Sequence, residues 1–301
     1  MNLVLTAPTG QVGAQLIAAL APIGTVTPLD RRTFDLSRPD QLPSIIRGIA
    51  PDVIVNAAAY TAVDDAEREE ELATTVNGIA VGVIAEEARR ARALLVHYST
   101  DYVFDGRKDS PYDEDDPPCP VNAYGRSKLA GETAIREVGG PHVILRTSWV
   151  YGARGRNFLR TILGLLRERD ELRIVADQVG APTRATEIAE ATAVIIAAAG
   201  QERACGSFTS GLFHLTSSGA TSWHGFAAQI LNDARKYGLL PADRAPRLVP
   251  VTTEEFRRPA TRPKNSRLAG DRVRERFGIA LPEWQECVSR CLEEISAAER
   301  G

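Results

Sequence analysis

The sequence predicts an α/β fold in which a doubly wound parallel sheet is joined to a smaller, mixed C-terminal lobe. In the first half of the 301-residue chain, short apolar runs alternate with longer segments of helical periodicity. In the second half the apolar runs are less regular, and Pro and Gly concentrate between the segments. Because strands separated by helices run parallel and are covered on both faces, the first half predicts a sheet between two helical layers.

The first half predicts a Rossmann-type domain over residues 1–150. The predicted strands are short, apolar and separated by helical segments: Leu3–Thr6, Thr25–Asp30, Val53–Asn56, Leu94–Ser99 and His142–Thr147. The predicted helices lie between these strands: Gln11–Leu20, Asp40–Ile49, a long segment from about Glu67 to Arg90 that is broken near Gly78, and Asn122–Glu137.

The second half predicts mainly a substrate-binding lobe over residues 151–301, with later segments returning to the first domain. Its predicted helices have apolar residues three and four apart: Phe158–Arg169, Thr186–Ala199, Ser222–Tyr237, Arg267–Phe277 and Pro282–Ile295. Its predicted strands are short: Leu172–Val175, Leu212–Leu215 and Arg247–Val251.

Composition excludes several classes of protein. The net charge is -3 with acidic and basic residues interspersed, so no basic stripe indicates nucleic-acid binding. No apolar run approaches the roughly 20 residues that span a bilayer, and Met1-Asn2 leads directly into the first strand. We expect a cytoplasmic protein that does not bind membranes.

Cysteine and histidine spacing offers no metal site. None of Cys119, Cys205, Cys287 and Cys291 forms a Cys-x-x-Cys pair, so we interpret them as reduced thiols. His97 lies in a strand of buried character, which favours packing over chemistry.

The turn after the first strand is a candidate dinucleotide site. Gly10 lets the chain approach a phosphate, and Gly13 lets the following helix pack closely on the strand, while the helix start with Gln11 and Val12 presents N–H groups to a pyrophosphate. Ala7 occupies the position of the first glycine in the usual motif, with Pro8 stiffening the turn. An ordinary glycine turn is the alternative.

The ends of the second and third strands extend this candidate site. Asp30 is placed to bind an adenosine ribose, and Arg31 and Arg32 to contact a 2′-phosphate, unless they form only a solvated turn. Asp35 and Leu36 follow in the same loop and are included in the predicted site. Small residues at the end of the third strand leave room for a ligand, or else pack a helix start: Asn56, Ala57, Ala58 and Ala59. We expect NADPH or NADH, with both used and the phosphorylated form preferred.

Tyr124 and Lys128 form a Tyr-x-x-x-Lys pair one helical turn apart, and therefore share a helix face. A nearby ammonium favours the phenolate, so the pair predicts a proton donor whose pKa is lowered toward neutrality. Thr100, at the end of the fourth strand, is placed to polarise a carbonyl oxygen. Individually, the tyrosine and the lysine fit an ordinary surface equally well.

Several segments, in this order along the chain, resemble the extended short-chain dehydrogenase/reductase family. The segments are Asn56–Asp64 (NAAAYTAVD), His97–Phe104 (HYSTDYVF), Tyr124–Glu132 (YGRSKLAGE), Arg146–Tyr151 (RTSWVY), Asp177–Thr183 (DQVGAPT) and Arg262–Leu268 (RPKNSRL). The resemblance covers essentially the whole chain. It is strongest to members that reduce the 4-keto group of dTDP-4-dehydro-β-L-rhamnose to dTDP-L-rhamnose.

The resemblance implies roles for individual residues. Thr100, Tyr124 and Lys128 would be catalytic, and Tyr124 and Lys128 would also contact the cofactor. The residues implied in substrate binding are Thr100, Asp101, Tyr102, Trp149, Asn265 and Arg267. Core packing is the alternative for Trp149 and Tyr102, and a turn cap for Asp101.

The resemblance also bears on assembly and on rival functions. Some members form dimers whose interface holds magnesium through acidic side chains, and the matching positions here are Gln15, Thr186 and Glu190. One carboxylate is a poor magnesium site, so we expect no interface magnesium and a monomer or weak homodimer. The alternatives are a reductase of a related dTDP-4-keto-deoxysugar, or a non-catalytic, cofactor-binding regulatory subunit like that of methionine adenosyltransferase.

Overall fold

Parallel strands form the central sheet of the protein, for which a computed structural model describes residues 1–241 and 243–300. The strands among these residues are β1 (Asn2–Thr6), β2 (Thr25–Leu29), β3 (Val53–Asn56), β4 (Leu94–Thr100), β5 (His142–Thr147), β6 (Val150–Tyr151), β7 (Glu171–Val175), β8 (Val179–Gly180), β9 (Thr183–Arg184), β10 (Gly211–His214), β11 (Thr221–Ser222) and β12 (Arg247–Val251). The helices are α1 (Gln11–Leu20), α2 (Leu42–Ile49), α3 (Val63–Ala66), α4 (Glu70–Thr74), α5 (Ala80–Arg90), α6 (Ala123–Val138), α7 (Phe158–Glu168), α8 (Ala185–Ala204), α9 (Trp223–Lys236), α10 (Asp271–Phe277) and α11 (Trp284–Arg300).

The sheet has six strands in the order β10-β5-β4-β3-β1-β2, and every neighbouring pair is parallel. The chain runs from β1 to one edge and then returns past β1 to build the other side. This reversal creates a switch point between β1 and β3, and open α/β sheets bind ligands at the carboxyl ends of the strands at such a point. The predicted doubly wound α/β fold is confirmed.

Helices cover both faces of the sheet because successive strand residues point to opposite sides. Leu3 and Leu5 of β1 pack in one core with α1 and α8, whereas Val4 packs in another with α2 and α5. Both cores are almost fully shielded from solvent.

A third core lies in the C-terminal part of the chain, where α7, α9 and α11 pack together around the two-stranded sheet of β7 and β12. The element β10 joins the central sheet, and α8 packs on α1. The division at residue 150 stays a prediction, and positions 242 and 301 of the predicted lobe lie outside the described residues.

The long helix predicted from Glu67 to Arg90 is divided into α4, a π-helical turn over Thr75–Ile79, and α5. The turn packs on α6, where a Cβ on Gly131 would lie 2.2 Å from the Asn77 carbonyl oxygen. The Asn77 amide also bonds the backbone of Tyr60 and the Ser127 hydroxyl. Close approach of two backbones therefore interrupts the helix, near the predicted break.

The helix predicted over Arg267–Phe277 begins only at Asp271. The preceding residues are extended, since Tyr112 N–H donates to the Arg267 carbonyl and Leu268 pairs with Tyr112. Tertiary pairing overrides helical periodicity here. No helix among the described residues combines the length and apolar character needed to cross a membrane.

Candidate active site

A cavity of about 450 Å³ lies at the carboxyl edge of the sheet, beside the switch point. It brings together residues from the β1–α1 turn, the ends of β3, β4 and β5, the start of α6, and the start of α9. Its lining includes Ala7, Gly10, Gln11, Val12, Ala57, Ala59, Thr100, Asp101, Tyr102, Tyr124, Lys128, Thr147, Trp149 and Trp223. Most of the predicted site residues therefore meet in one place.

The β1–α1 turn is held by its own backbone. Ala7 has φ +50°, in the left-handed region, and its carbonyl accepts a hydrogen bond from Gly10 N–H at 3.0 Å. A Cβ on Gly13 would lie 2.0 Å from that same carbonyl oxygen, so only glycine allows α1 to pack this closely. No side chain among the described residues caps α1, whose first N–H groups remain available to an anion. The turn fits the pyrophosphate of a dinucleotide.

The loop after β2 is shaped by Asp30. Its Oδ1 accepts hydrogen bonds from Arg32 N–H and from the N–H and hydroxyl of Thr33, each at 3.0 Å. The Thr33 backbone bond is the largest cause of the lowered pKa of Asp30. Arg31 and Arg32 are exposed in the same loop.

Asp35 and Leu36 occupy different positions in this loop. Asp35 Oδ1 accepts bonds from the N–H and hydroxyl of Ser37. The Leu36 side chain is buried in the core with Phe34 and Leu42, so only its backbone is available to a ligand.

The end of β3 contributes small residues and a buried amide. Ala57 and Ala59 line the cavity, whereas Ala58 packs against the core and donates its N–H to Thr6 Oγ1 at 3.0 Å. Asn56 is buried, and its Oδ1 accepts from Thr6 Oγ1 at 2.8 Å. The Asn56 side chain therefore links the ends of β1 and β3 inside the protein.

Capping and close packing place Tyr124 beside the end of β4. Asn122 begins α6 by accepting from Gly125 N–H at 2.7 Å. A Cβ on Gly125 would lie 2.1 Å from the Tyr102 carbonyl oxygen, so glycine lets the helix start touch the turn after β4. The Tyr102 and Tyr124 rings meet edge to face at 5.8 Å.

Thr100 is buried at the end of β4. Its hydroxyl donates to Asp101 Oδ1 at 3.0 Å and accepts from Tyr102 N–H at 3.2 Å. Burial raises the pKa of Asp101 to about 6, and the Ser266 and Thr100 hydroxyls partly offset this effect. Thr100 and Asp101 thus present a hydroxyl and a carboxyl group to the cavity.

The pKa of Tyr124 differs from the prediction. Burial raises it above the usual value, and a hydrogen bond with Thr100 offsets only part of the increase. Lys128 does not lower it, because its ammonium is directed toward Tyr98 and His97. Tyr124 is therefore a firmly protonated phenol, as a proton donor requires.

Lys128 is buried, with 2% of its surface exposed. Its Nζ donates to the Tyr98 carbonyl at 2.7 Å and lies 3.3 Å from His97 Nε2. Burial lowers the pKa of Lys128 to about 8, while the charge of Glu132 acts in the opposite direction.

Two tryptophans form an aromatic wall of the cavity. Trp149 has φ +47°, and its ring stacks on Trp223 with centroids 3.6 Å apart. Trp223 Nε1 donates to Gln178 Oε1 at 3.1 Å. Sequence reasoning missed Trp223, since a lone tryptophan at a helix start carries no signal beyond helical periodicity.

Asn265 and Arg267 lie outside the lining of this cavity, although Arg267 lines another one, and their role in substrate binding stays a prediction. The Asn265 amide donates to the carbonyls of Lys108 and Ser110, and its Oδ1 accepts from Arg267 N–H and Nε. Both side chains therefore also hold the neighbouring loop in place.

A second cavity, of about 460 Å³, lies on the other side of Trp223. Its lining combines aliphatic and aromatic residues with three arginines and one aspartate, and includes Asp64, Phe158, Ile162, Leu165, Leu172, Arg173, Ile174, Val175, Gln178, Trp223, Phe256, Arg258 and Arg262. Arg262 donates to both carboxylate oxygens of Asp64, at 2.9 and 3.0 Å. Burial alone would raise the pKa of Asp64, but Arg262 and the Ala260 N–H hold it below its usual value.

The positions matched to the magnesium site lie on α1 and α8. The Thr186 hydroxyl is 3.5 Å from Gln15 Oε1. Within residues 1–241 and 243–300, no group of three or more His, Cys, Asp or Glu side chains is arranged to hold a metal ion. The expectation about an interface magnesium stays a prediction.

Comparison with known proteins gives consistent results. The family model described as RmlD substrate binding domain matches residues 1–297. A dTDP-4-dehydrorhamnose reductase of Burkholderia thailandensis is 52% identical over 98% of this chain and 99% of its own length. The dTDP-4-dehydrorhamnose reductase of Escherichia coli K12 is 44% identical over 98% of both chains.

Two solved structures have the same fold over nearly the whole chain. The dTDP-4-dehydrorhamnose reductase of Bacillus anthracis, in complex with NADP, has a TM-score of 0.86 and 35% identity, covering 97% of this chain and 99% of its own. A Clostridium acetobutylicum ortholog has a TM-score of 0.89 and 33% identity, covering 98% and 99%.

Proposed function

The chain belongs to the RmlD substrate binding domain family, and from this premise we propose that it reduces the 4-keto group of dTDP-4-dehydro-β-L-rhamnose to give dTDP-L-rhamnose, with NADPH or NADH as the reductant. The extended short-chain dehydrogenase/reductase resemblance predicted from the sequence is confirmed by the matched family and relatives. One observation carries the proposal: Thr100, Tyr124 and Lys128 line the same cavity as the glycine turn.

A bound nicotinamide supplies a hydride to the sugar C4, and the protein must manage the charge that develops on the carbonyl oxygen. The Thr100 hydroxyl is a rotor that can turn from Asp101 and donate to that oxygen. Tyr124, held protonated by burial, transfers its proton to the oxygen and completes the alcohol. Lys128, whose ammonium bonds the Tyr98 carbonyl and His97, lines the same cavity and is placed to bind the cofactor ribose.

The cavity walls support a sugar substrate. The stacked rings of Trp149 and Trp223 offer a flat apolar face to a deoxysugar and its methyl group. Asp101 and Tyr102 add polar groups to the lining of the same cavity.

The second cavity supports a nucleotide on that sugar. It is separated from the first by Trp223, which lines both. Three arginines and one aspartate give its lining a positive balance that suits a diphosphate. Phe158 and Phe256 offer apolar surface to a base. We therefore propose this second cavity as the site of the nucleoside diphosphate.

We also propose that the protein acts in the cytoplasm as a monomer or weak homodimer without interface magnesium. The support is the single carboxylate, Glu190, among the matched positions. Sedimentation with and without a chelator tests this, and dissociation on chelation would contradict it.

The function is tested by mixing the protein with NADPH and verified dTDP-4-dehydro-β-L-rhamnose. We expect the absorbance of the reduced nicotinamide to fall with substrate present and to stay constant without it. NMR of the product identifies the C4 configuration, which distinguishes this reaction from reduction of a related keto-deoxysugar. A constant absorbance with the verified substrate would instead favour a non-catalytic cofactor-binding protein.

A further inference from the structure

A row of buried polar side chains runs behind the catalytic lysine. Lys128 Nζ lies 3.3 Å from His97 Nε2, and His97 Nδ1 lies 3.1 Å from Asn56 Nδ2. Asn56 Oδ1 in turn bonds Thr6 Oγ1 at 2.8 Å. The row continues to the N–H of Ala58, between two residues that line the catalytic cavity.

Strand register creates this row. His97 of β4 is paired with Asn56 of β3, and Thr6 ends β1, the next strand of the sheet. The three side chains come from adjacent strands on the face that α6 covers. All are at most 1% exposed, and buried polar groups at this depth are costly unless they are paired.

We propose that His97 is a positioning residue for Lys128, and that its neutral ring accepts a hydrogen bond from the lysine ammonium through Nε2. This role rests on the proposed function of Lys128 in the reduction. An ammonium has three N–H donors. The Tyr98 carbonyl and His97 Nε2 take two of them, which directs the third into the cavity that Lys128 lines.

This arrangement specifies the tautomer of His97. With Nε2 as the acceptor, the ring proton is on Nδ1 and is donated to the amide oxygen of Asn56. For this, the Asn56 amide must be turned by half a turn from the orientation described above, an exchange of two groups of nearly the same shape. Its oxygen then faces His97 and its NH₂ faces Thr6, and the 3.3 Å bond from Ala58 N–H to Asn56 Oδ1 is replaced by the bond from Ala58 N–H to Thr6 Oγ1 alone. The two lone pairs of the Thr6 hydroxyl accept from that NH₂ and from Ala58 N–H.

The surroundings keep His97 neutral. Burial lowers the pKa of His97 well below its usual value, and the Lys128 charge acts in the same direction. The charged and titratable groups near the Lys128 ammonium include His97 on β4, Glu132 and Tyr124 on α6, Asp101 in the cavity lining, and Arg146 of β5, which pairs with Glu132. Of these groups, His97 is the one that lies within hydrogen-bond distance of Lys128 Nζ, through its Nε2 atom.

Variants at position 97 test the role in catalysis. His97→Leu removes the acceptor, so the ammonium is less well held and the pKa of Lys128 falls. We expect kcat/KM to drop roughly 10- to 100-fold, the effect of a misplaced catalytic group. We also expect the decline of kcat/KM with rising pH to start at a lower pH than in the wild-type protein. His97→Gln restores an amide oxygen and is expected to recover most of the activity and the original pH profile.

The matched control is His214→Leu, which changes another fully buried histidine of the same sheet, on β10. We expect it to alter thermal stability while the pH profile and NADPH affinity stay unchanged. The proposal is wrong if folded His97→Leu retains wild-type activity and pH profile, if His97→Gln is as impaired as His97→Leu, or if His214→Leu shifts the profile equally.

A second measurement uses the unmodified protein and needs no turnover. In ¹⁵N-histidine NMR, with the His97 signals assigned from the His97→Gln variant, we expect a neutral ring protonated on Nδ1. A ring protonated on Nε2, or on both nitrogens, would contradict the proposal even if the reduction itself is confirmed. This readout also applies if His97→Leu does not fold.

Discussion

The indole rings of Trp149 and Trp223 stack face to face, with centroids 3.6 Å apart and planes 8° apart. Trp149 follows the fifth strand of the central sheet, whereas Trp223 begins α9 in the C-terminal part of the chain. The stack therefore joins the two parts at the cavity wall. Gly180 permits it, since a Cβ there would lie 2.6 Å from the Trp149 ring.

Trp223→Leu is expected to weaken binding of the sugar nucleotide selectively. An aromatic pair contributes about 1 kcal/mol beyond its buried area, which corresponds to roughly a fivefold rise in KM. The NADPH dissociation constant should stay the same, because Trp223 is on the sugar side of the cavity. Steady-state kinetics and NADPH fluorescence titration measure the two effects, and Trp223→Phe is the conservative control. A change in NADPH affinity alone would contradict the assignment.

Tyr124→Phe is expected to lower kcat by roughly 100-fold or more, the usual contribution of a general acid, with NADPH still bound. The phenol is the proton donor, and the ring that packs on Tyr102 is retained. Tyr102→Phe is the matched control and should have a smaller effect, mainly on KM. Wild-type turnover by Tyr124→Phe would show that another group donates the proton.

The protonation of Lys128 is expected to set an upper pH limit on activity. Burial lowers the pKa of Lys128 to about 8, so the ammonium is present below that pH and is lost above it. We expect kcat/KM to decline as pH rises through about 8. Lys128→Ala should abolish this decline while weakening both turnover and NADPH binding. A variant that loses only one of the two functions would separate the roles assigned to the lysine.

Much of this site was predictable because its chemistry depends on local sequence order. Tyr124, Lys128, Thr100 at a strand end, and Gly10 of the β1–α1 turn all line one cavity. Each requires only that a strand or helix form where its periodicity indicates. The parallel sheet followed from the same alternation of apolar runs.

Other features depend on tertiary contacts that the sequence does not express. Burial raises the phenol pKa of Tyr124. Lys128 does not offset this increase, because its ammonium bonds the Tyr98 carbonyl and His97. His97 gains a polar partner only because the register of β3 and β4 sets it beside Asn56. The bonds of Asn265 to Lys108 and Ser110 could not be predicted, because these residues are remote from it in sequence.

Replacing Ala7 with glycine is expected to increase both thermal stability and affinity for NADPH. Its φ of +50° is a conformation that costs a non-glycine residue roughly 1–2 kcal/mol, so Ala7→Gly relieves strain in the turn that receives the pyrophosphate. We expect a rise in thermal stability and tighter NADPH binding.

Ala50→Gly is the matched control for this change. Ala50 has φ +49° at the end of α2 and is absent from the cavity lining. The Ala50→Gly variant should gain thermal stability, and its affinity for NADPH should be unchanged. If the two variants behave alike in cofactor titrations, strain at Ala7 has no role in binding.

Arg31 and Arg32 are expected to select the phosphorylated cofactor. Both are exposed in the loop shaped by Asp30, where a 2′-phosphate can meet them. A hydrogen bond to a charged group contributes about 1.5–3 kcal/mol, so replacing both with alanine should raise the KM for NADPH at least tenfold and leave that for NADH nearly constant. Arg38→Ala, an exposed arginine in the same loop, is the control. Equal loss for both cofactors would argue against phosphate recognition.

A crystal structure with NADPH and dTDP-L-rhamnose tests the account most directly. We expect the Tyr124 hydroxyl within hydrogen-bond distance, about 2.6–3.2 Å, of the sugar O4, with Thr100 on the same oxygen and the nicotinamide C4 facing the sugar C4. A sugar bound elsewhere, or a Tyr124 hydroxyl turned away from its O4 toward solvent, would contradict the assignment of the active site.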